Sequence, residues 1–260
     1  MYTIPEINVF KTSRPSVYTE NAGIDLNLEL ILVPGGTFFM GGQDDEVQEN
    51  EKPVHPVTLK SYYMGKYPVT QAQYKKVMGN DKNMSLRKDD NCPVNNVTWD
   101  EAQEFCLKLS KLIGNTCHLP TEAEWEYAAQ GGQKLHLPKE QHTRFKYAGS
   151  NNIDEVAYYG NNSNNGVRVV GEKKPNELGL YDMSGNVWEW CQDWYDDKYY
   201  QSSLNKNPKG RHSGSHRVLR GSSWRNSAVC CRVAFRDANF PGRRIYNYGF
   251  RLTFVPQFGG

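Results

Sequence analysis

The chain has 260 residues and a formal net charge of +2, so it can bury a full core but offers no overall electrostatic attraction to nucleic acid or anionic membranes. Aromatic residues make up 12% of the sequence beside 23 Gly and 13 Pro, which favours a loop-rich fold over a helical bundle. Because no run of about 18 apolar residues occurs, the sequence predicts no transmembrane helix.

The first third of the chain predicts an arm, short strands and one helix. Residues 1–27 are polar without a sustained period, and we expect them to form an N-terminal arm. Strands are predicted over residues 28–33 and 37–40, which are apolar runs that end at Gly or Pro. Alternating apolar residues predict a further strand over 57–64, and residues 71–78 predict a helix that ends before a glycine.

Two further helices begin at capping boxes, Thr98-Trp-Asp-Glu101 and Thr121-Glu-Ala-Glu124. In each box the Thr hydroxyl and the Glu carboxylate satisfy amides of the first turn that have no partner within the helix. The second of these helices is predicted over residues 122–129. These two helices, set among many short strands and long irregular loops, predict a single α+β domain over residues 28–260.

The cysteines do not form a metal-binding pattern. No Cys-x-x-Cys pair occurs, and no histidine stands at the spacing of a metal finger. We therefore expect buried or half-buried free thiols. The adjacent Cys230 and Cys231 are the exception, and they are either half-exposed thiols or a strained vicinal disulfide. The six cysteines are Cys92, Cys106, Cys117, Cys191, Cys230 and Cys231.

The most specific stretch of the sequence spans residues 179–191. On a strand, Trp188 and Trp190 would share one face and Glu189 would point to the other. Asp182 and Glu189 flank a turn that contains glycine, and two carboxylates with backbone carbonyls between them are the donors that calcium requires. The alternative is a turn with a surface Asp and a Glu paired with a nearby arginine.

Seven segments resemble, in order, the formylglycine-generating-enzyme or sulfatase-modifying-factor family, and together they span residues 28–255. The resemblance implies a C-type-lectin-like fold with little regular secondary structure. It also implies an activity that oxidises a substrate cysteine to formylglycine. The segments are Leu32-Val-Pro-Gly-Gly-Thr-Phe-Phe-Met-Gly41, Tyr67-Pro-Val-Thr70, Pro93-Val-Asn-Asn-Val-Thr-Trp99, Leu119-Pro-Thr-Glu-Ala-Glu-Trp-Glu-Tyr127, residues 179–190, Arg220-Gly-Ser-Ser-Trp224 and Gly249-Phe-Arg251.

The resemblance implies one structural calcium site made of two carboxylates and three backbone carbonyls. A second calcium site of the family would involve Asn152 and Ile153, but Asn162 stands near the position of its acidic ligand, which is a departure from the family pattern. The expected ligands of the first site are Asp182, Met183, Gly185, Val187 and Glu189.

The family's oxidation uses two copper-binding cysteines, whose positions in this sequence are Asn226 and Cys231. Because Cu(I) selects a pair of thiolates, one amide and one thiolate do not fit, and we expect no copper. On a strand Cys230 would point away from Cys231 and would be a poor substitute. Related iron-dependent enzymes need a His-x-x-x-Glu-x-His cluster, and no such spacing occurs among the six histidines.

Residues 225–248, between predicted strands at 217–224 and 249–255, contain no Lys, Glu, Gln, Met or Trp. Within the family, this segment resembles that of the treponemal variable proteins that diversity-generating retroelements diversify. The resemblance implies randomised adenines in AAC codons, which can yield many residue types but not those five. The alternative is an ordinary loop rich in Arg and aromatic residues. The residues that resemble a fixed frame are Arg232, Arg236, Pro241, Arg243 and Gly249-Phe-Arg251.

The sequence therefore predicts a non-catalytic, surface-displayed protein that binds a variable protein or cell-surface ligand, and not nucleic acid, through residues 225–248. Large flat side chains in this segment suit a binding surface. We expect a position at the cell surface or outside the cell, with a lipid anchor on a removed signal segment as one route. The alternatives are a copper-dependent oxidoreductase that forms formylglycine on protein cysteines, and a structural or chaperone module of a larger system. The candidate variable positions are Arg225, Asn226, Ser227, Val229, Cys230, Phe235, Asp237, Ala238, Phe240, Gly242, Arg244, Ile245, Tyr246 and Tyr248.

Overall fold

The computed structural model describes residues 26–132 and 144–255. Nearly all of the predicted N-terminal arm, residues 1–25, lies outside this described part. Within it, no helix is long and apolar enough to cross a membrane.

Each of the longer helices begins at a threonine that forms a capping box, and two of the three boxes are those predicted above. In the third, Thr70 pairs with Gln73 at the start of the helix predicted over 71–78. A one-turn helix behind Asn152 adds to the predicted helices. The helices are α1 (Gln71–Met78), α2 (Trp99–Ile113), α3 (Glu122–Ala129) and α4 (Ile153–Val156).

The strands of the described part form three sheets, so the α+β class is confirmed. The strands are β1 (Leu30–Val33), β2 (Gly36–Met40), β3 (His55–Leu59), β4 (Tyr62–Gly65), β5 (Cys117–His118), β6 (Trp188–Trp194), β7 (Arg217–Arg220), β8 (Asp237–Asn239), β9 (Tyr248–Gly249) and β10 (Thr253–Phe254). One sheet has the order β1-β4-β10-β5, another consists of β2 and β3, and the last has the order β8-β7-β6-β9.

Two predicted strands are divided in the structure. Residues 57–64 contribute to β3 and β4, which pair in different sheets. The chain leaves the sheet of β2 and β3 near Ser61, whose Oγ accepts a hydrogen bond from the amide of Gly35 at 2.8 Å. Residues 249–255 contribute only to β9 and β10, because the carbonyl of Phe250 between them turns to accept a hydrogen bond from the amide of Val69 at 2.9 Å.

The predicted strand over 217–224 ends at Arg220. Gly221 and Ser222 follow with φ angles of 85° and 68°, and this left-handed backbone cannot continue a strand. The chain therefore turns out of the sheet just before residues 225–248 begin.

Strand β6 lies in the middle of the last sheet and supports residues 225–248. It pairs with β7, which precedes that segment, and with β9, which closes it. Trp188 and Trp190 pack into one hydrophobic cluster, whereas Glu189 faces Trp125 and Arg251. The predicted alternation along this strand is confirmed.

All six cysteines are free thiols. Five are buried and Cys230 is half-buried, which confirms the prediction for Cys92, Cys106, Cys117 and Cys191. Of the adjacent pair, Cys230 is half-exposed as predicted, whereas Cys231 is fully buried and the two form no disulfide. Cys230 and Cys231 lie in a 3₁₀ turn over Ala228–Cys231 and not on a strand, so the prediction that they occupy opposite faces of a strand does not apply.

Candidate ligand-binding face

Every candidate variable position except Tyr248 is fully or partly exposed. We call these exposed and half-buried candidates the variable face. The fully exposed members are Arg225, Ser227, Phe240, Gly242 and Arg244. The half-buried members are Asn226, Val229, Cys230, Phe235, Asp237, Ala238, Ile245 and Tyr246.

Two arginines of the predicted frame are buried in bidentate ion pairs. Arg232 Nη1 and Nη2 lie 2.9 and 2.6 Å from the two carboxylate oxygens of Glu51. Arg236 Nε and Nη2 lie 2.6 and 2.9 Å from those of Glu122. All four side chains are buried, and this two-point geometry suits a guanidinium and a carboxylate better than any other pair of side chains.

A third buried arginine holds the backbone between those two. Arg220 Nη2 lies 2.6 Å from Glu126 Oε2 and donates to the carbonyl of Val233 at 2.8 Å. Its Nη1 donates to the carbonyl of Ala234 at 3.2 Å. The segment from Arg232 to Arg236 is therefore attached to the core through side chains and backbone alike.

The buried network changes the pKa values of two of its carboxyl groups in opposite directions. Burial alone would raise the pKa of Glu122, but Arg236 and Arg220 outweigh burial and leave that pKa below its ordinary value. Burial, followed by repulsion from Glu122, raises the pKa of Asp193 well above its usual range. Asp193 Oδ2 accepts a hydrogen bond from the Glu122 amide at 2.9 Å, so Asp193 serves to hold the start of α3.

Trp188 lies directly beneath the variable face and contacts it at separate points. Its indole Nε1 donates to Asn226 Oδ1 at 3.0 Å, and its ring packs against Phe235 with the centroids 6.1 Å apart. Its backbone amide donates to the carbonyl of Asn247 at 2.9 Å. The beginning, middle and end of the segment thus meet on one rigid strand residue.

The exposed side chains make fewer and weaker contacts. The Arg225 guanidinium lies 5.4 Å from the ring centroid of Tyr246, and that ring packs against Trp224 at 5.8 Å. Arg244 pairs with Glu101 at the surface. Arg244 is the most firmly held of these exposed side chains, because its pair with Glu101 is bidentate and its Nη1 also donates to the carbonyl of Asn96 at 2.6 Å. Arg225 has only the contact with the Tyr246 ring, which is worth about 0.5–1 kcal/mol at an exposed site.

Two residues differ from their predicted placement. Tyr248 is buried, packs edge-on against Trp190 at 5.2 Å and accepts a hydrogen bond from Asn239 Nδ2 at 3.0 Å, so it belongs to the core and not to the variable face. Arg243, predicted as a frame residue, is exposed. Sequence spacing could not reveal either placement, because both depend on how the chain re-enters β9.

The positions of the family's copper-binding cysteines do not fit copper in this chain. Asn226 Oδ1 already accepts hydrogen bonds from Trp188 Nε1 and from Ser223 Oγ at 2.6 Å. Cys231 is buried, and burial raises the pKa of its thiol to about 12. A protonated thiol and an amide that is already hydrogen-bonded do not make a pair of thiolates, and such a thiol is a poor nucleophile.

The predicted calcium ligand Asp182 is buried, so the alternative of a surface Asp is wrong. Its Oδ2 accepts a hydrogen bond from the amide of Gly171 at 2.8 Å, and its Oδ1 lies 3.4 Å from Asn186 Nδ2. Burial raises the pKa of Asp182 to about 6, because neither hydrogen bond supplies a full positive charge. A buried carboxylate in this state fits a bound cation.

The other predicted carboxylate already has a cationic partner. Arg251 Nε and Nη2 each lie 2.8 Å from an oxygen of Glu189, and Trp125 Nε1 donates to Glu189 Oε2 at 2.7 Å. A calcium ion would have to share Glu189 with this arginine. The site remains a prediction, with Asp182 as the ligand that fits best.

The remaining predicted ligands of the first calcium site lie between the two carboxylates in the chain. Met183, Gly185 and Val187 are buried in the turn between the two carboxylates. At the predicted second site, Asn152 caps α4 through its side chain, while Asn162 binds Asp154 and Ala157. Both calcium sites stay predictions.

When divalent ions are chelated, the Asp182 carboxyl should lower the free energy of unfolding of the parent protein by about 2–3 kcal/mol between pH 4 and pH 8. Replacing Asp182 with Asn should remove this loss. The folded pKa of about 6 exceeds the ordinary value, so the stabilisation from the protonated carboxyl is complete below about pH 4 and is lost as the pH rises through 6. Denaturant titrations at both pH values measure this. The exposed Asp45→Asn change is the control.

The same variant tests the metal. Calcium should raise the melting temperature of the parent protein, because it would bind only the folded state, and should leave Asp182→Asn unchanged. A parent protein that contains no calcium and melts at the same temperature with and without the ion would contradict the calcium prediction.

Some residues that hold the variable face escape sequence reasoning. Glu51, Glu122 and Glu126 are ordinary charged residues until their buried arginine partners are known. One signal was available for the last two: they stand four positions apart among apolar residues of α3, where carboxylates need a buried partner.

Residues 19–254 match the model of the sulfatase-modifying factor enzyme 1-like domain. The chain belongs to this family. The chaperone protein LppX of Paenibacillus barcinonensis is 33% identical over 264 residues, which cover 81% of this chain and 85% of that protein. The formylglycine-generating enzyme of Mus musculus is 28% identical over 287 residues, covering 86% of this chain and 74% of the enzyme.

Within the family, the fold is also that of a variable protein. The structure of Treponema denticola variable protein 1 superposes with a TM-score of 0.77 at 33% identity, covering 88% of this chain and 95% of that one. Both predicted resemblances, to the family and to a treponemal variable protein, are confirmed. The family therefore includes an enzyme, a protein named as a chaperone and a variable protein.

Proposed function

We propose that this member of the family is a non-catalytic, surface-displayed protein that binds its ligand through the variable face. One observation carries the proposal: residues 225–248 divide into buried frame residues and exposed candidates. Arg232 and Arg236 are held in buried ion pairs, while residues such as Arg225 and Arg244 lie at the surface. The exposed side chains of the face can change without a change in the core, whereas Asn226 and Phe235 also contact the buried Trp188.

Variation by a retroelement is part of this proposal. Residues 225–248 lack the five residue types that a randomised AAC codon cannot encode. The family relationship to Treponema denticola variable protein 1 supports the same reading. A diversified face has no single inherited ligand, so we propose a protein or another cell-surface molecule as partner.

The variable face is suited to a partner that presents an extended surface. It combines Arg, Tyr and Phe, which give large contact areas at a modest cost in side-chain entropy. A cavity of about 270 Å³ is lined by residues such as Asp44, Lys146 and Val233, and no member of the variable face lines it. A ligand on this face would therefore contact a surface and not enter that cavity.

The second candidate function, copper-dependent formation of formylglycine, is favoured by the enzyme among the relatives. The contacts at Asn226 and the buried thiol of Cys231 argue against it. With copper and a peptide that carries the family's target cysteine motif, we expect mass spectrometry to detect no aldehyde. Turnover that Cys231→Ala abolishes would contradict the binding proposal and favour the oxidase.

The proposal is tested with a display library in which NNC codons encode the variable face and all other codons are kept. Selection against a purified target protein, for which lysozyme is convenient, should yield folded variants that bind it. A matched library that randomises the buried residues 231–234 and 236 should yield few folded variants. A face library without binders, or with no more folded variants than the frame library, would contradict the proposal.

Surface display is proposed together with the binding function. Antibody labelling of intact cells should detect the protein without permeabilisation. Labelling that requires permeabilisation would contradict the proposed location and leave the binding test unaffected.

A further inference from the structure

We propose that residues 158–168, here called the Asn-rich loop, form a fixed wall of the ligand-binding face and contact every protein ligand, whatever residues the variable face carries. The inference rests on the proposed function. It assigns part of each interface to residues outside 225–248, which would supply affinity common to all variants.

A single buried residue, Asn186, clamps both ends of the loop. Its backbone amide donates to the carbonyl of Tyr158 at 2.8 Å. At the other end, its side-chain Oδ1 accepts from the amide of Arg168 at 3.1 Å, and its Nδ2 lies 3.2 Å from the Arg168 carbonyl. Its own carbonyl accepts from the amide of Trp224 at 2.9 Å. The loop and the start of residues 225–248 are thus fixed to the same point.

The loop also touches the variable face directly. The amide of Gly160 donates to the carbonyl of Asn226 at 2.8 Å. A Cβ at position 160 would lie 3.0 Å from that oxygen and 3.2 Å from the carbonyl oxygen of Arg225. A glycine is needed here for this close approach of two backbones, so the two segments form one continuous surface.

Internal hydrogen bonds give the loop its shape, and one of them joins the side chains of Asn161 and Tyr159. Asn162 Oδ1 accepts from the amide of Tyr159 at 2.9 Å, and its Nδ2 donates to Asp154 Oδ1 at 3.0 Å. Asn164 and Asn165 follow with φ angles of 54° and 56°, a left-handed conformation that asparagine tolerates well. Together with Asn161, these two residues are exposed.

The chemistry of the loop suits a protein surface. Exposed amides donate and accept hydrogen bonds without charge, and they adapt to backbone groups of many partners. Beside them, Arg168 and Lys173 lie 5.1 and 4.7 Å from the ring centroid of Tyr158. This basic and aromatic group already has partners in the chain, since Arg168 Nε lies 3.8 Å from Glu172 Oε2 and Lys173 donates to the carbonyl of Asp154 at 2.7 Å, so the exposed amides are the groups that the loop offers to a ligand. This fixed wall would complement a face whose own side chains vary.

The experiment uses several unrelated lysozyme binders selected from the face library. In each binder, Asn161→Ala, Asn164→Gly and Asn165→Gly are combined, since glycine keeps the left-handed backbone and removes the amides. We expect every binder to lose affinity by about tenfold or more. Asn205→Ala, at an exposed asparagine whose backbone pairs with Thr58, is the control and should change affinity less than about twofold.

A second measurement covers the case in which the triple variant melts early. Asn165→Cys, labelled with a bulky maleimide, should block binding, whereas labelled Asn205→Cys should not. Binders whose affinities ignore both the triple substitution and the label would overturn the inference while the proposed function stands. A library that yields no binders would overturn both.

Discussion

Replacing Arg236 with Leu should lower the free energy of unfolding by about 3–5 kcal/mol. The substitution leaves the buried Glu122 without its bidentate partner. It also removes hydrogen bonds from Arg236 to the carbonyls of Asn50, at 2.6 Å, and Asp196. Glu122 keeps Arg220, whose Nη1 lies 3.3 Å from Glu122 Oε1, but it loses the counter-ion that made two hydrogen bonds to it, and breaking a buried ion pair in this way is strongly destabilising. Urea denaturation followed by tryptophan fluorescence measures the loss.

The matched control comes from the same segment. Arg244 also pairs with a glutamate, Glu101, but that pair is partly exposed. The pair is bidentate and Arg244 Nη1 also donates to the carbonyl of Asn96 at 2.6 Å, so Arg244→Leu should cost about 1–2 kcal/mol, less than the loss at Arg236. Equal losses for Arg236→Leu and Arg244→Leu would mean that the division into frame and variable face has no energetic basis.

Replacing Trp190 with Ala should cost about 3–5 kcal/mol, the range found when a large buried aromatic side chain is truncated. Trp190 is buried, packs against Tyr248 and donates from Nε1 to the carbonyl of Val97 at 3.1 Å. The substitution leaves a cavity beside β6 and removes the hydrogen-bond donor of the Val97 carbonyl. Thermal and chemical denaturation should agree on the loss.

An aromatic residue of the variable face serves as the comparison. Tyr246 is half-buried and packs mainly on Trp224, so Tyr246→Ser should cost about 1 kcal/mol or less. Phe235 is also half-buried but packs on Trp188, so its truncation should fall between the two. A loss at Tyr246 as large as at Trp190 would place Tyr246 in the core and remove the main support for the binding face.

The local features of the fold could be predicted because their signals lie within a few residues. Both capping boxes and the alternation around Trp188 and Trp190 are of this kind. Strand lengths were overestimated where positive φ angles, as at Ser222, interrupt an alternating pattern. At this break Gly221 was the one signal in the sequence, because a glycine inside a strand pattern often marks an irregular backbone, whereas Ser222 gave none.

The support of the site could not be predicted because its partners are distant in sequence. Arg232 binds a glutamate 181 residues away, and Arg236 binds one 114 residues away. The family resemblance predicts that these two arginines belong to a fixed frame, but it does not identify the carboxylates that pair with them. Asn186 likewise lies within a predicted turn, and only the folded chain places it against both Arg168 and Trp224.

The buried arginines would let this scaffold tolerate the change at its surface that the proposed function requires. Buried ion pairs with glutamates hold three arginines, Arg220, Arg232 and Arg236, in one geometry. These arginines in turn fix the backbone of residues 232–236. Hydrophobic replacements of such pairs can be equally stable, so we interpret the network as a means of specifying a single loop conformation. Side chains of the variable face then differ without moving the backbone that presents them.

The most direct test of the central claim is deep sequencing of the codons for residues 217–254 in many cells of one lineage. We predict substitutions confined to codons of the variable face, and a near-identical second copy of the segment that carries AAC at those codons beside a reverse-transcriptase gene. The codons of the frame and of Tyr248 should stay constant. A segment that varies no more than the codons of β6, with no second copy, would contradict the account.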